Sequence, residues 1–185
     1  MQTLRNVAPL MLLAGAMLLL TGCSVQVQEA PSVPLAVGET ATATMAGPDG
    51  AAVGTVTLTQ GHHGVIIAAE LTGLTPGGHG FHIHEVGSCT PDFTAAGGHF
   101  APRGHGHGYD HEGGVHAGDL PNIFAAADGT VRADVFTSAV TLTAGAVHSL
   151  FDEDGSAIII HEKPDTYGDD PAAGARIACG VIKRN

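Results

Sequence analysis

The chain has 185 residues, enough for one domain, with 18 acidic against 7 basic residues and a formal net charge of −11 at neutral pH. So acidic a surface repels nucleic acid and anionic membranes, which excludes both as electrostatic partners, and any anionic substrate needs locally focused positive charge. Aromatic residues make up only 4% and Trp is absent, so a core must rest on Val, Ile, Leu and Ala.

The chain opens with Arg5 and the apolar run Pro9–Leu20 (PLMLLAGAMLLL), which is too short to span a bilayer comfortably. Leu20-Thr21-Gly22-Cys23 follows directly, and small residues ending an apolar run are the pattern of a processed secretory signal. This ending resembles the bacterial lipobox. It implies a lipoprotein signal peptide over residues 1–22, lipid on Cys23, and a chain that is exported and held by that lipid in the cell envelope, at the periplasmic or outer surface. Without Arg5 the formal charge is −12. Ser24–Ala36 has no periodic pattern and contains Pro31 and Pro34, so residues 23–38 read as lipidated Cys plus flexible tether, and residues 39–185 as the folded domain.

Beyond the tether the pattern is of short β segments punctuated by Gly, Asp and Pro. Strands are predicted at Ala41–Ala46, Ala51–Thr59 and Val65–Leu71, with Pro48-Asp49-Gly50 and Gly61-His62-His63-Gly64 as the turns between them. Gly80–Glu85 is the next, followed by a long Gly- and His-rich segment. Then come Ile123–Ala127, the turn Asp128-Gly129, Thr130–Thr137, Ala139–Leu142, Ala157–Ile160 and Ile177–Ile182. No segment carries a long amphipathic helical period, so the fold class is all-β, a sandwich or barrel.

The stretch from His79 to Asp119 holds eight of the 12 histidines, with Gly at nearly every step between them. Imidazole suits copper, zinc, iron and nickel, and so dense a cluster points to metal. His82 and His84 sit at i and i+2 of a strand, so both rings share one face and can reach one ion. Further candidates are His99, His105, His107, His111, His116, Asp119 and, after an apolar strand, His161. Spacing alone reaches one or two transition-metal ions and does not divide the ligands between them. His62 and His63 read as an exposed polar turn. If Cys23 is acylated, Cys89 and Cys179 remain as a pair in an oxidising compartment, and a disulfide is expected.

Five ordered motifs resemble the copper/zinc superoxide dismutase family over about Thr40 to Ile182. They are Gly80-Phe81-His82-Ile83-His84-Glu85-Val86-Gly87, Gly98-His99-Phe100-Ala101-Pro102, His116-Ala117-Gly118-Asp119-Leu120, His161-Glu162-Lys163-Pro164-Asp165, and Gly174-Ala175-Arg176-Ile177-Ala178-Cys179-Gly180. The resemblance implies a Greek-key β-sandwich or flattened barrel of about eight strands with long metal-binding loops. Copper would take His82, His84, His99 and His161. Zinc would take His99, His107, His116 and Asp119, with His99 bridging the metals. His107 is preferred to His105 because its separations from His99 and His116, eight and nine residues, fit the family. His111 reads as a spare in the loop. Asp165 would hydrogen-bond His82 and His107 from behind, Cys89–Cys179 would be the family disulfide, and His79 a structural hydrogen-bonding residue.

The activity implied is dismutation of superoxide: one ion is oxidised to dioxygen, and a second takes an electron and two protons to give hydrogen peroxide. Arg176 would hold the anion beside copper, and His99 would carry a proton in the reduced state. Departures from the family are a short segment of 14 residues between His161 and Arg176, whose GDDPAAGA end contains no Lys, and a lengthened PDFTAAGG between Cys89 and His99. The resemblance leaves monomer or homodimer open. A copper or zinc buffer without turnover is the rival reading, but it needs neither Arg176 nor a complete bridged pair of sites.

Overall fold

In a computed structural model, which describes residues 34–185, nine strands and one 3-10 turn form the domain. The expected signal peptide (1–22) and Cys23 lie outside the described residues. The strands are β1 (Thr40–Ala46), β2 (Ala52–Gln60), β3 (Val65–Leu71), β4 (Gly77–His79), β5 (Phe81–His84), β6 (Ile123–Ala125), β7 (Val131–Thr137), β8 (Ala157–His161) and β9 (Arg176–Arg184), and the 3-10 turn is Phe93–Ala96. Seven strands form one curled antiparallel sheet in the order β5-β8-β9-β1-β2-β3-β7, and β4 pairs with β6 in a second, small sheet. Since β4 runs into β5 through Gly80 and β6 precedes β7, the small sheet ties the two open edges of the large one together. The first strand lies between the second and the last, so the β7–β8 and β8–β9 connections leave long loops outside the sheet.

Alternation decides what is inside. β3 reads buried–exposed along its length, with Val65, Ile67, Ala69 and Leu71 turned inward. Phe81 and Ile83 of β5 join Ile158 and Ile160 of β8 in the same core, with Leu58, Leu142 and Leu150. Each such side chain contributes about 1.5–3 kcal/mol by leaving water. β5 and β8 differ from the rest in being buried on both faces. Their second face carries His82, His84 and Ile159, roofed by the loops that follow β5 and β8.

The outer edge of β5 is also covered. Ile83 N donates to Gly118 O (2.9 Å), Phe100 N to Ile83 O (2.9 Å), and Glu85 N to Gly98 O (3.0 Å), so segments of the His-rich loop act as a substitute neighbour strand.

Eight of the nine predicted strands form within a residue or two of their expected bounds. Ala139–Leu142 does not: only Thr141 makes an isolated bridge, to Ser149. Side chains capture this backbone instead. Gln60 Oε1 accepts from Leu142 N and Thr141 Oγ1 (both 2.8 Å), and Ala139 N donates to Thr137 Oγ1 (3.1 Å), so no ladder is needed. The short β4 and the 3-10 turn were not expected. The tail of the expected tether is already attached to the domain, with Ala36 N donating to Thr143 Oγ1 (2.9 Å) and Gly38 N to Gln60 O (2.8 Å).

Candidate metal centre

Two consequences of β geometry assemble the centre. His82 and His84 alternate with the core residues Phe81 and Ile83, which turns both imidazoles to the roofed face of β5. At the end of β8 the pairing slips: Ile160 faces Ala178, but His161 faces Arg176, so Ile177 is an extra residue. His161 stands on that face already, two residues beyond Ile159, and the bulge on β9 turns Arg176 to it as well. The loop between β5 and β6 returns His99 beside His84 and Asp119 beside His82, through two isolated bridges.

Among the described residues two groups of side chains offer converging ligand atoms: His82, His84, His99 and His161, and His99, His107, His116 and Asp119. Within each group the ligand atoms all lie within 4.8 Å of one another. His99 belongs to both. Its Nδ1 lies 2.6 Å from Asp119 Oδ1, and its ring centroid is 4.2 Å from that of His82 and 5.4 Å from that of His116.

The backs of three rings are already engaged. His82 Nε2 donates to Asp165 Oδ2 (2.7 Å), His107 Nε2 to Asp165 Oδ1 (3.2 Å), and His84 Nδ1 to Gly97 O (3.0 Å). Each of these bonds puts the proton on the outward nitrogen and leaves the opposite one as a lone pair. The nitrogens so exposed, His82 Nδ1, His84 Nε2 and His107 Nδ1, are buried without a hydrogen-bond partner, as is His161 Nε2. Buried lone pairs left orphaned are costly unless something fills the space between them. Neutral imidazoles with one carboxylate, converging in fours, fit a nitrogen-binding divalent ion at each place.

Electrostatics favour the same state. Burial, reinforced by the neighbouring His99, pushes His82 and His84 down to about 2, and burial takes His161 down to about 4. These rings are neutral at physiological pH, as ligation demands. For Asp119 burial works toward protonation, but the His99 hydrogen bond and the Gly108 amide (3.1 Å to Oδ2) outweigh it and hold the carboxyl well below its usual range.

Arg176 stands at the rim of the first group. Its Nη1 donates to Phe93 O (2.6 Å) and its Nη2 to Gly97 O (2.7 Å), the same carbonyl that receives His84 Nδ1. Cys89 and Cys179 form a disulfide, as expected, which ties the Phe93–Gly97 segment to β9. The remaining histidines go elsewhere. His105 donates from Nδ1 to Val115 O (3.1 Å) and lines a separate cleft with Arg103 and His148, while His111 accepts from Gly113 N (3.2 Å). His79 is buried, with its nitrogens 2.7 Å from His161 O and 2.8 Å from Thr75 O. His62 is exposed in the hairpin turn beside His63.

A family model described as copper/zinc superoxide dismutase matches residues 52–182. The chain belongs to the copper/zinc superoxide dismutase family. It is 48% identical over 148 residues to a superoxide dismutase [Cu-Zn] of Caulobacter vibrioides, covering 77% of this chain and 85% of that one. It is also 48% identical over 138 residues to one from Aquifex aeolicus, covering 72% and 82%. Among solved structures, a SOD-like protein from Bacillus subtilis superposes with a TM-score of 0.71 at 41% identity over 76% of this chain and 96% of that one. The Cu/Zn superoxide dismutase from Brucella abortus does so with a TM-score of 0.64 at 35% identity, over 78% and 100%. As a member of the superoxide dismutase family, this protein is an oxidoreductase with copper and zinc as its metals and superoxide as its substrate.

Three residues that matter to the superoxide dismutase site were not singled out from sequence: Asn122, Tyr109 and Tyr167. Asn122 clasps the backbone of Asp165 from both sides, with Asp165 N donating to its Oδ1 (2.7 Å) and its Nδ2 donating to Asp165 O (2.9 Å). Nothing but its place three residues after Asp119 could have flagged it.

Proposed function

We propose that the two four-residue groups are the copper and zinc sites of one bridged centre. Copper is held by His82, His84, His99 and His161, and zinc by His99, His107, His116 and Asp119. The observation that carries this division is His99, the one residue common to both groups, whose Nδ1 faces Asp119 and whose Nε2 is left for the other group. Four protein ligands with no open position suit a structural zinc.

Copper supplies the one-electron exchange, so that two superoxide ions and two protons give one dioxygen and one hydrogen peroxide. The chain's residues supply the rest. Arg176 has two of its five N–H groups on Phe93 O and Gly97 O, which fixes the guanidinium plane and leaves others to hold the anion. In a chain of net charge −11 this fixed cation is what focuses an anionic substrate on the site. His99 Nε2 would hold and pass on one of the two protons the reaction consumes. Asp165 keeps His82 and His107 in the tautomers that ligation requires.

The same reading puts the protein outside the cytoplasm, anchored by lipid on Cys23 after removal of residues 1–22, where it protects the envelope from extracytoplasmic superoxide. The Leu20-Thr21-Gly22-Cys23 sequence supports this, and so does a disulfide, which persists in oxidising compartments. Labelled palmitate should enter the wild-type chain and not Cys23→Ser; label in both would remove the anchor. For the centre, residues 24–185 are expressed in an oxidising compartment, loaded with copper and zinc, and followed by pulse radiolysis beside His161→Ala. Fast copper-dependent decay lost in the variant supports the assignment; tight binding of both metals without decay overturns it.

A further inference from the structure

The loop carrying His107, His116 and Asp119 and the loop carrying Asp165 meet at two tyrosines. The rings of Tyr109 and Tyr167 pack edge to face, 5.4 Å between centroids at 62°. Tyr109 N donates to Tyr167 O (3.0 Å), so the loops are joined through the backbone as well. The approach is close: Gly108 has φ +93°, and a Cβ there would lie 2.5 Å from Gly168 O and 2.6 Å from Tyr167 O, so no other residue fits.

Each tyrosine then reaches behind a carboxylate residue. Tyr109 Oη donates to the main-chain oxygen of Asp119 (3.1 Å), and the amide beside it, Gly108 N, donates to Asp119 Oδ2 (3.1 Å). Tyr167 N donates to Asp165 Oδ1 (2.7 Å), and Tyr167 Oη accepts from Asn122 N (2.8 Å), whose side chain clasps Asp165. Tyr167 does this from φ +65°, a left-handed conformation that an L side chain adopts only when its surroundings impose it. Neither tyrosine touches a nitrogen of either four-residue group.

We propose that Tyr109 and Tyr167 are positioning residues that act as one clamp. They hold Asp119 and Asp165 in place from behind and make retention of zinc depend on the docking of the two loops. This rests on the ligand assignment proposed above. Asp165 also bonds His82, so the clamp carries over to the copper side: freeing one loop alters the orientation of a copper-site ring as well as the zinc carboxylate.

The test uses the full metal-loaded protein with its disulfide intact, in Tyr109→Phe, Tyr167→Phe and the double variant, each of which keeps the ring and removes a hydroxyl. Zinc release to a chromogenic chelator is timed, and the visible absorption of the Cu(II)-loaded protein is recorded. The clamp predicts release roughly tenfold faster in each single variant, a double variant little faster than either one, and a shifted copper band; such couplings are the mark of residues acting together. Release within twofold of wild type, or additive effects of the two, overturns it. So does a loss confined to the melting temperature of the metal-free protein, because that would make the tyrosines supports of the fold alone. Asp119→Ala separates the two readings: if it too retains zinc, the ligand assignment fails; if it loses zinc while the tyrosine variants do not, only the clamp fails.

Discussion

His161 and Arg176 face each other across β8 and β9 at a one-residue bulge, so a slip in register brings the guanidinium proposed for superoxide to the face that carries the ring proposed for copper. Removing the slip would send one of them to the opposite face, since strand side chains alternate. The cation is fixed further by Phe93 O and Gly97 O, at 2.6 and 2.7 Å.

Arg176→Ala should therefore slow copper-dependent superoxide decay by about 10–100-fold, the worth of one charge-assisted hydrogen bond, and flatten its dependence on ionic strength. Arg176→Lys keeps the charge but not the planar fork, and should recover the salt dependence more than the rate. Pulse radiolysis across a salt series reads both, and unchanged rates in the Ala variant would remove Arg176 from the reaction.

Asp165 is 2.7 Å from His82 Nε2 and 3.2 Å from His107 Nε2, so its loss acts on both rings together. Asp165→Ala should weaken zinc affinity by about 10–100-fold and broaden the copper electron paramagnetic resonance spectrum. Competition against a chelator of known affinity measures the first effect. An affinity within twofold of wild type would contradict it.

The metal-free protein should lose stability in acid. His82 and His84 fall to about 2 and His161 to about 4 in the folded chain, against 6.5 when exposed. The unfolded chain thus binds more protons below pH 6.5, and stability falls as pH falls from there toward 4, by about 1 kcal/mol per pH unit for each ring. Urea midpoints at pH 7, 6 and 5 after chelation should decline steadily. With copper and zinc bound the decline should be delayed until acid releases the metals, because protons and metals compete for the same nitrogens.

Cys89 and Cys179 close a loop spanning 90 residues, and opening it should cost about 2–5 kcal/mol of stability. The Phe93–Gly97 segment that receives Arg176 is held by that bond on one side. Cys89→Ser/Cys179→Ser should consequently lower the rate per bound copper as well as the melting temperature. A rate per copper equal to wild type would show that the segment is held by its other contacts.

Much of the site is written in local pattern. Alternation of Phe81, His82, Ile83 and His84 announces a strand with core on one face and ligands on the other, and Asp-Gly and Pro-Asp-Gly turns mark the hairpins. What escapes is whatever depends on long-range capture of a backbone. Ala139–Leu142 alternates like a strand but is taken up by Gln60, 79 to 82 residues earlier in the chain. The bulge at Ile160 and His161 has no marker residue, since Ile177 is as suited to regular pairing as its neighbours. Tyr109 and Tyr167 stand 58 residues apart in glycine-rich loops without period, so their meeting is set by the fold of both loops.

The covering of β5 by Gly98–Phe100 and Gly118 has a bearing on solubility. An uncovered sheet edge is a template onto which another chain can add a strand, and natural proteins shield or interrupt such edges. Here the shield is the loop that carries His99, His116 and Asp119. On the assignment proposed above, three metal ligands sit on the shield itself, so the metals brace the guard on the edge as well as supply the chemistry. The same assignment makes zinc loss expected to favour self-association through β5, the strand whose edge the loop covers.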